Sequence, residues 1–119
     1  MLLKLSTRSF VLRLQKMCEN GYKFKLIFLY LANSQLAISR VKERVQQGGH
    51  DIPEETIKRR YEKGLINFFG LYQPIADNWY FYDNSNDLRL IAKGSSLTTE
   101  KVFNEKAWQN LRKKYELKK

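Results

Sequence analysis

The chain has 119 residues, 43% of them hydrophobic and 13% aromatic, which excludes a disordered tail and fits one domain or a portion of one. Its 22 lysines and arginines outnumber 12 acidic residues for a formal charge of +10; such an excess draws polyanions (nucleic acid, anionic membrane, phosphorylated small molecules) and serves solubility equally well. A single cysteine, Cys18, and a single histidine, His50, exclude an intrachain disulfide and a Cys/His metal cluster.

In chain order, Leu2 to Ser6 reads as a short strand, and nothing there has the long apolar region of a signal peptide. Ser9 to Cys18 sets Phe10, Leu14, Met17 and Cys18 on one helical face, which makes Cys18 a packed thiol rather than a nucleophile. Asn20-Gly21 is a helix stop. Tyr22 to Leu31 alternates and then turns continuously apolar, the pattern of a strand covered on both faces. The apolar stretch Leu26 to Ala32 is too short to cross a bilayer; no membrane association is expected, and a cytoplasmic location follows by default.

Ser34 reads as the N-cap of a helix to about Gln47, with Ile38, Val41 and Val45 as its apolar stripe. Arg40 and Arg44 stand four residues apart on another face. Gly48-Gly49 ends this helix, and Gly48 to Ile52 lacks periodicity and reads as a mobile loop. Pro53 suits the first turn of the next helix, with Glu54 and Glu55 at its positive end. Ile57, Tyr61, Leu65, Phe68 or Phe69 and Tyr72 follow at steps of three or four, and Pro74 breaks or ends the helix. Trp79 to Asp83 reads as a strand, Asn84 to Asp87 as a turn and Leu88 to Ala92 as a second strand. Thr98 or Thr99 caps a final helix carrying Val102, Phe103, Leu111 and Tyr115. Helices alternating with buried strands predict an α/β sandwich with a largely parallel sheet.

One constellation has a chemical meaning. Arginine donates two hydrogen bonds to one phosphate and keeps its charge when partly buried. Arg40 and Arg44 precede a glycine-hinged loop, and Arg59 and Arg60 follow it, as in a lid that shuts on a phosphate and expels water. The same arginines could equally solvate helix faces and pair with Glu43, Glu55 or Glu62.

The run from Leu36 through Arg40, Arg44, Gly48-Gly49-His50-Asp51-Ile52-Pro53-Glu54-Glu55 to Arg59-Arg60-Tyr61 resembles the lid of zeta-toxin-like P-loop kinases. Gly64 to Phe69, Tyr72 to Trp79, Tyr82-Asp83-Asn84-Ser85 and, upstream, Leu5-Ser6-Thr7-Arg8-Ser9 extend the likeness over roughly residues 5 to 94. The resemblance implies a partial P-loop kinase fold over residues 1–119, mostly parallel with flanking helices and a lid loop, and a family activity of ATP- and magnesium-dependent phosphoryl transfer to a small molecule, in a toxin–antitoxin setting. By that match Arg40 and Arg44 would approach the nucleotide and its phosphates, with Arg44 and Arg60 the charge-neutralising catalytic pair. Arg59 would assist Arg60, Asp83 and Asn84 would lie near the base, unless they simply stabilise a turn, and Arg8 would face the substrate. His50 would meet either a phosphate or solvent.

The departures are as informative. No Gly-x-x-x-x-Gly-Lys-Ser/Thr sequence occurs, so the backbone cradle for phosphates is missing. Met1-Leu2-Leu3-Lys4 stands where the family carries acidic and threonine residues, and Thr7 replaces a glycine. The chain therefore reads as a truncated kinase domain, inactive alone and taking either the family's cofactors or none; no catalytic base is assignable. A nucleotide or phosphorylated small molecule is the expected ligand. Self-association, or a chain supplying the missing half across an exposed sheet edge, is the expected assembly. The alternative is a basic polyanion or nucleic-acid module without catalysis. It would need a stacking platform among Tyr80, Tyr82 and Trp108 with interleaved basic residues, and it is disfavoured because these aromatics read better as core.

Overall fold

The structure, a computed structural model, describes residues 11–115. The expected strand at Leu2 to Ser6 and the substrate-side Arg8 lie outside the described residues. The elements are α1 (Val11–Glu19), β1 (Lys25–Tyr30), α2 (Ser34–Gln46), α3 (Glu54–Asn67), a π-turn (Phe68–Tyr72), a 3₁₀ turn (Gln73–Ile75), β2 (Asn78–Asp83), β3 (Arg89–Ser95), β4 (Thr98–Val102) and α4 (Glu105–Tyr115).

The four strands form one sheet in the order β1-β2-β3-β4. The fold is α/β as expected, but the largely parallel sheet is not observed. Among the described strands only β1 and β2 are parallel; β2–β3 and β3–β4 are antiparallel. Connection length explains this. The path from β1 to β2 runs through α2 and α3, long enough for a crossover. The links after β2 and β3 are short turns, which can only reverse the chain.

The final helix is a second correction. Thr98 to Val102 is a strand, and α4 starts at Glu105, where the Asn104 side chain accepts from the Ala107 amide at 3.2 Å. The threonines and following glutamate mimic a helix start, but a hairpin intervenes. Its turn residue Ser96 has φ 50° and is held from three sides: its amide donates to Ala76 O (2.9 Å), its hydroxyl to Pro74 O (2.7 Å), and its carbonyl accepts from the Trp79 indole (2.8 Å). Such fixation keeps a left-handed serine in place. Opposite Trp79 in the register stands Gly94, where an added Cβ would meet Thr98 O and come within 2.7 Å of the Trp79 ring; only glycine allows that approach.

The cap of α2 also shifts by one residue: Asn33, not Ser34, accepts from the Leu36 amide at 2.9 Å. At the far end, Gly48 has φ 98°, its amide donates to Val45 O (3.0 Å), and the Gly49 amide donates to Arg44 O (2.8 Å). This is the paired hydrogen-bond arrangement of a helix closed by a left-handed glycine. From Gly48 to Pro53 the chain is irregular, where the lid loop is expected. After α3 the π-turn and the 3₁₀ turn containing Pro74 replace a clean helix end. The extra residue per turn lets Phe68, Phe69 and Tyr72 all reach the core, each at most 1% exposed.

That core lies on one side of the sheet. Phe28 stacks on Phe81 (5.0 Å, 16°), Phe68 meets Phe81 edge-on (5.1 Å, 71°), and Trp79 stacks on Trp108 (5.4 Å, 21°). Each such pair adds about 0.5–1.5 kcal/mol beyond area burial. Trp108, which the nucleic-acid alternative would need exposed and which reads better as core, is 1% exposed; α4 presses it into the centre. Cys18 packs at the margin of this core, as expected. Among the described residues the other sheet side is open: Ile27 and Leu29 are 54% and 52% exposed, so β1 is covered on one face, not two, and it is an edge strand of the described sheet.

Candidate functional site

The parallel strands end side by side, Tyr30 opposite Asp83, and the chain turns from β1 into α2 at that point. In α/β sheets the carboxyl ends of parallel strands are where ligands collect. Here the corner is tied together by its own groups. The Asn84 amide donates to Tyr30 O (2.7 Å), the Ala32 amide to Ser85 Oγ (2.9 Å), and the Ser85 amide to Asp83 Oδ1 (2.9 Å). Arg40 donates through Nη2 to Asn84 O (3.1 Å) and Ser85 O (3.2 Å). Asp83 and Asn84 thus shape a turn, and Arg40 staples α2 to it.

The other arginines lie elsewhere. Lys42 Nζ and Glu54 Oε1 are 3.0 Å apart, setting the last turns of α2 beside the first turn of α3. The hydrogen bond from Lys42 holds the Glu54 carboxyl below its ordinary range. The α2–α3 hairpin therefore carries Arg44 before the irregular loop and Arg59 and Arg60 after it. All three are exposed, and among the described residues none makes an ion pair or side-chain hydrogen bond. The structure separates Arg40 from the set that the sequence grouped. His50 is exposed in the loop.

Beside the strand-end corner lies a cleft of about 440 Å³ lined by Tyr30, Asn33, Ser34, Tyr61, Lys114 and Tyr115 among others. The Tyr61 hydroxyl donates to Leu31 O at 2.7 Å, and the Tyr115 hydroxyl donates to Glu62 Oε1 at 3.4 Å. Burial, with the neighbouring Glu62 carboxylate, pushes the Tyr115 phenol up to about 12; burial raises Tyr61 further and Tyr30 as well. These phenols stay protonated at neutral pH and act as hydrogen-bond donors, not bases. Sequence reading missed this tyrosine cluster because its members come from three elements and share no local spacing.

A kinase cofactor would need more than this. Among the described residues no group of three or more His, Cys, Asp or Glu could hold a metal ion, and the sequence has no phosphate-cradling glycine loop. The arginines suit phosphate oxygens; the remaining donors do not complete a magnesium–ATP site.

No family model matches the chain, and no solved structure matches it. A Haemophilus influenzae protein, described as uncharacterized, is 35% identical over 57 residues, covering 48% of this chain and 41% of that protein. The match thus spans less than half of that relative's length. Among the described residues, no helix is long and apolar enough to cross a membrane.

Proposed function

We propose that the chain is the phosphate-clamping portion of a zeta-toxin-like kinase, one that binds the polyphosphate of a nucleotide and transfers no phosphoryl group by itself. The observation that carries this reading is the contrast among four arginines. Arg40 is held by two backbone carbonyls, whereas Arg44, Arg59 and Arg60 stand exposed and unpaired on both sides of an irregular loop. Cations that serve only fold stability gain from partners. These three lack them, in the segment that resembles a kinase lid.

Phosphoryl transfer is mostly positioning and charge neutralisation. Arg44 and Arg60 supply the second; the first belongs to a backbone cradle that this sequence does not contain. The chain therefore holds phosphate oxygens weakly, in a manner screened by salt. Arg59 reinforces Arg60, and the Asp83–Ser85 corner supplies the strand-end wall.

Calorimetric titration with ATP at low salt, with and without magnesium, tests the reading. Binding that weakens at least tenfold in an Arg44→Ala, Arg60→Ala double variant is the expected result. Affinity unchanged by the double substitution would remove the clamp, and absence of binding by the native chain would show that three arginines without a cradle hold no nucleotide.

A further inference from the structure

We propose that the uncovered face of the sheet is a platform for single-stranded nucleic acid. The inference stands on the sheet alone and is independent of the kinase-like reading.

The side chains of that face follow from strand alternation. Ile27 pairs with Tyr80, Tyr80 with Lys93, and Lys93 with Lys101, so one row crosses all four strands from aliphatic through aromatic to two lysines. The next row sets Leu29 opposite Tyr82. Tyr80 and Tyr82 are two residues apart on an inner strand, about 6.6 Å at ordinary strand rise. That spacing lets two rings each take a separate base. The Lys25 ammonium lies over the Tyr80 ring, 5.0 Å from its centroid, so a cation already sits on one face of that ring and can shift onto a backbone phosphate as a base arrives. The rings of the aromatic core all belong to the opposite side of the sheet.

Single-stranded nucleic acid suits this surface on two counts. Aromatic side chains stack unpaired bases without regard to sequence, and neighbouring cations track the backbone phosphates. A duplex keeps its bases stacked inside and would meet only the lysines. A second copy of this chain would bring +10 against +10. Glu100, on β4, accepts from the Ser95 hydroxyl at 2.6 Å at the end of the sheet away from Tyr82.

Fluorescence anisotropy of a labelled 15-nucleotide oligothymidine, with native chain and variants at 50 and 200 mM salt, is the test. We expect binding that falls at least tenfold in a Tyr80→Leu, Tyr82→Leu variant, which keeps apolar area but removes both rings. A Lys93→Ala, Lys101→Ala variant should reduce the salt slope by about 1.4, as loss of two phosphate contacts to a single strand predicts. Four results would overturn the platform: no binding at 50 mM salt, equal affinity for a duplex of the same length, equal affinity in the tyrosine variant, or equal competition by polyglutamate. The last would assign the face to an acidic polypeptide. Near-ultraviolet circular dichroism of each variant shows that the Trp79–Trp108 core is intact.

Discussion

Trp79 and Trp108 stack on each other at the centre of the core, yet they differ by one hydrogen bond. The Trp79 indole donates to Ser96 O at 2.8 Å; the buried Trp108 indole nitrogen has no partner. Replacing either by phenylalanine removes similar area, but Trp79→Phe also strips the Ser96 carbonyl of its donor, whereas Trp108→Phe removes an unsatisfied one. We expect Trp79→Phe to be the more destabilising by about 1–3 kcal/mol, read from urea midpoints at constant slope. Equal midpoints would mean that the Trp79 indole hydrogen bond adds nothing net to stability. The sequence marks both residues as large and apolar, and it cannot tell which nitrogen is satisfied, because the acceptor of Trp79 lies 17 residues away.

Helix α2 carries two arginines one turn apart that do different work. Arg40→Ala removes two charge-assisted hydrogen bonds to the strand-end corner and is expected to cost about 1.5–3 kcal/mol of stability. Arg44→Ala, at an exposed site without a partner, should stay within about 0.5 kcal/mol. Thermal or urea unfolding of the two single variants separates them; a large loss at Arg44 would show that it supports the fold. The i, i+4 spacing was legible in the sequence and suggested a shared target. What distinguishes the pair is the docking of α2 on the β2–β3 turn, which reaches Arg40 and not Arg44. The end of α2 was legible because Gly48-Gly49 supplies a left-handed stop locally. The strand at Thr98 to Val102 was not. Its residues satisfy a helix-start pattern, and only pairing with β3 makes them extended.

Over the whole molecule, the tyrosine cluster ties β1, α3 and α4 together, and it gives the fold an alkaline limit. The Tyr115 phenol has a folded value near 12 against an ordinary 10.0, and Tyr61 and Tyr30 are raised too. A group that holds its proton more tightly when folded contributes fully below its unfolded value and loses that contribution as pH rises past it. Stability should therefore be flat through neutral pH with respect to these phenols and decline from pH 10 toward 12. The comparison that isolates the effect is Tyr115→Phe. Its urea midpoint should fall less steeply across that window. An unchanged slope would show that Tyr115 does not sense folding. The open sheet face belongs to this scale too, since the alternation of Tyr80 and Tyr82 is visible in sequence but the side left uncovered is not.

The chain by itself determined its helices α1 to α3, the strands β1 to β3, the glycine stop of α2 and the charged loop flanks, because each depends on periodicity, caps or turn residues within a few positions. Tertiary structure decided the sheet's mixed direction, the fourth strand, the diversion of Arg40 to the strand ends and the exposure of one sheet face. Each of these depends on a partner distant in the chain. Local residue preferences are weak enough for strand pairing and core packing to override them.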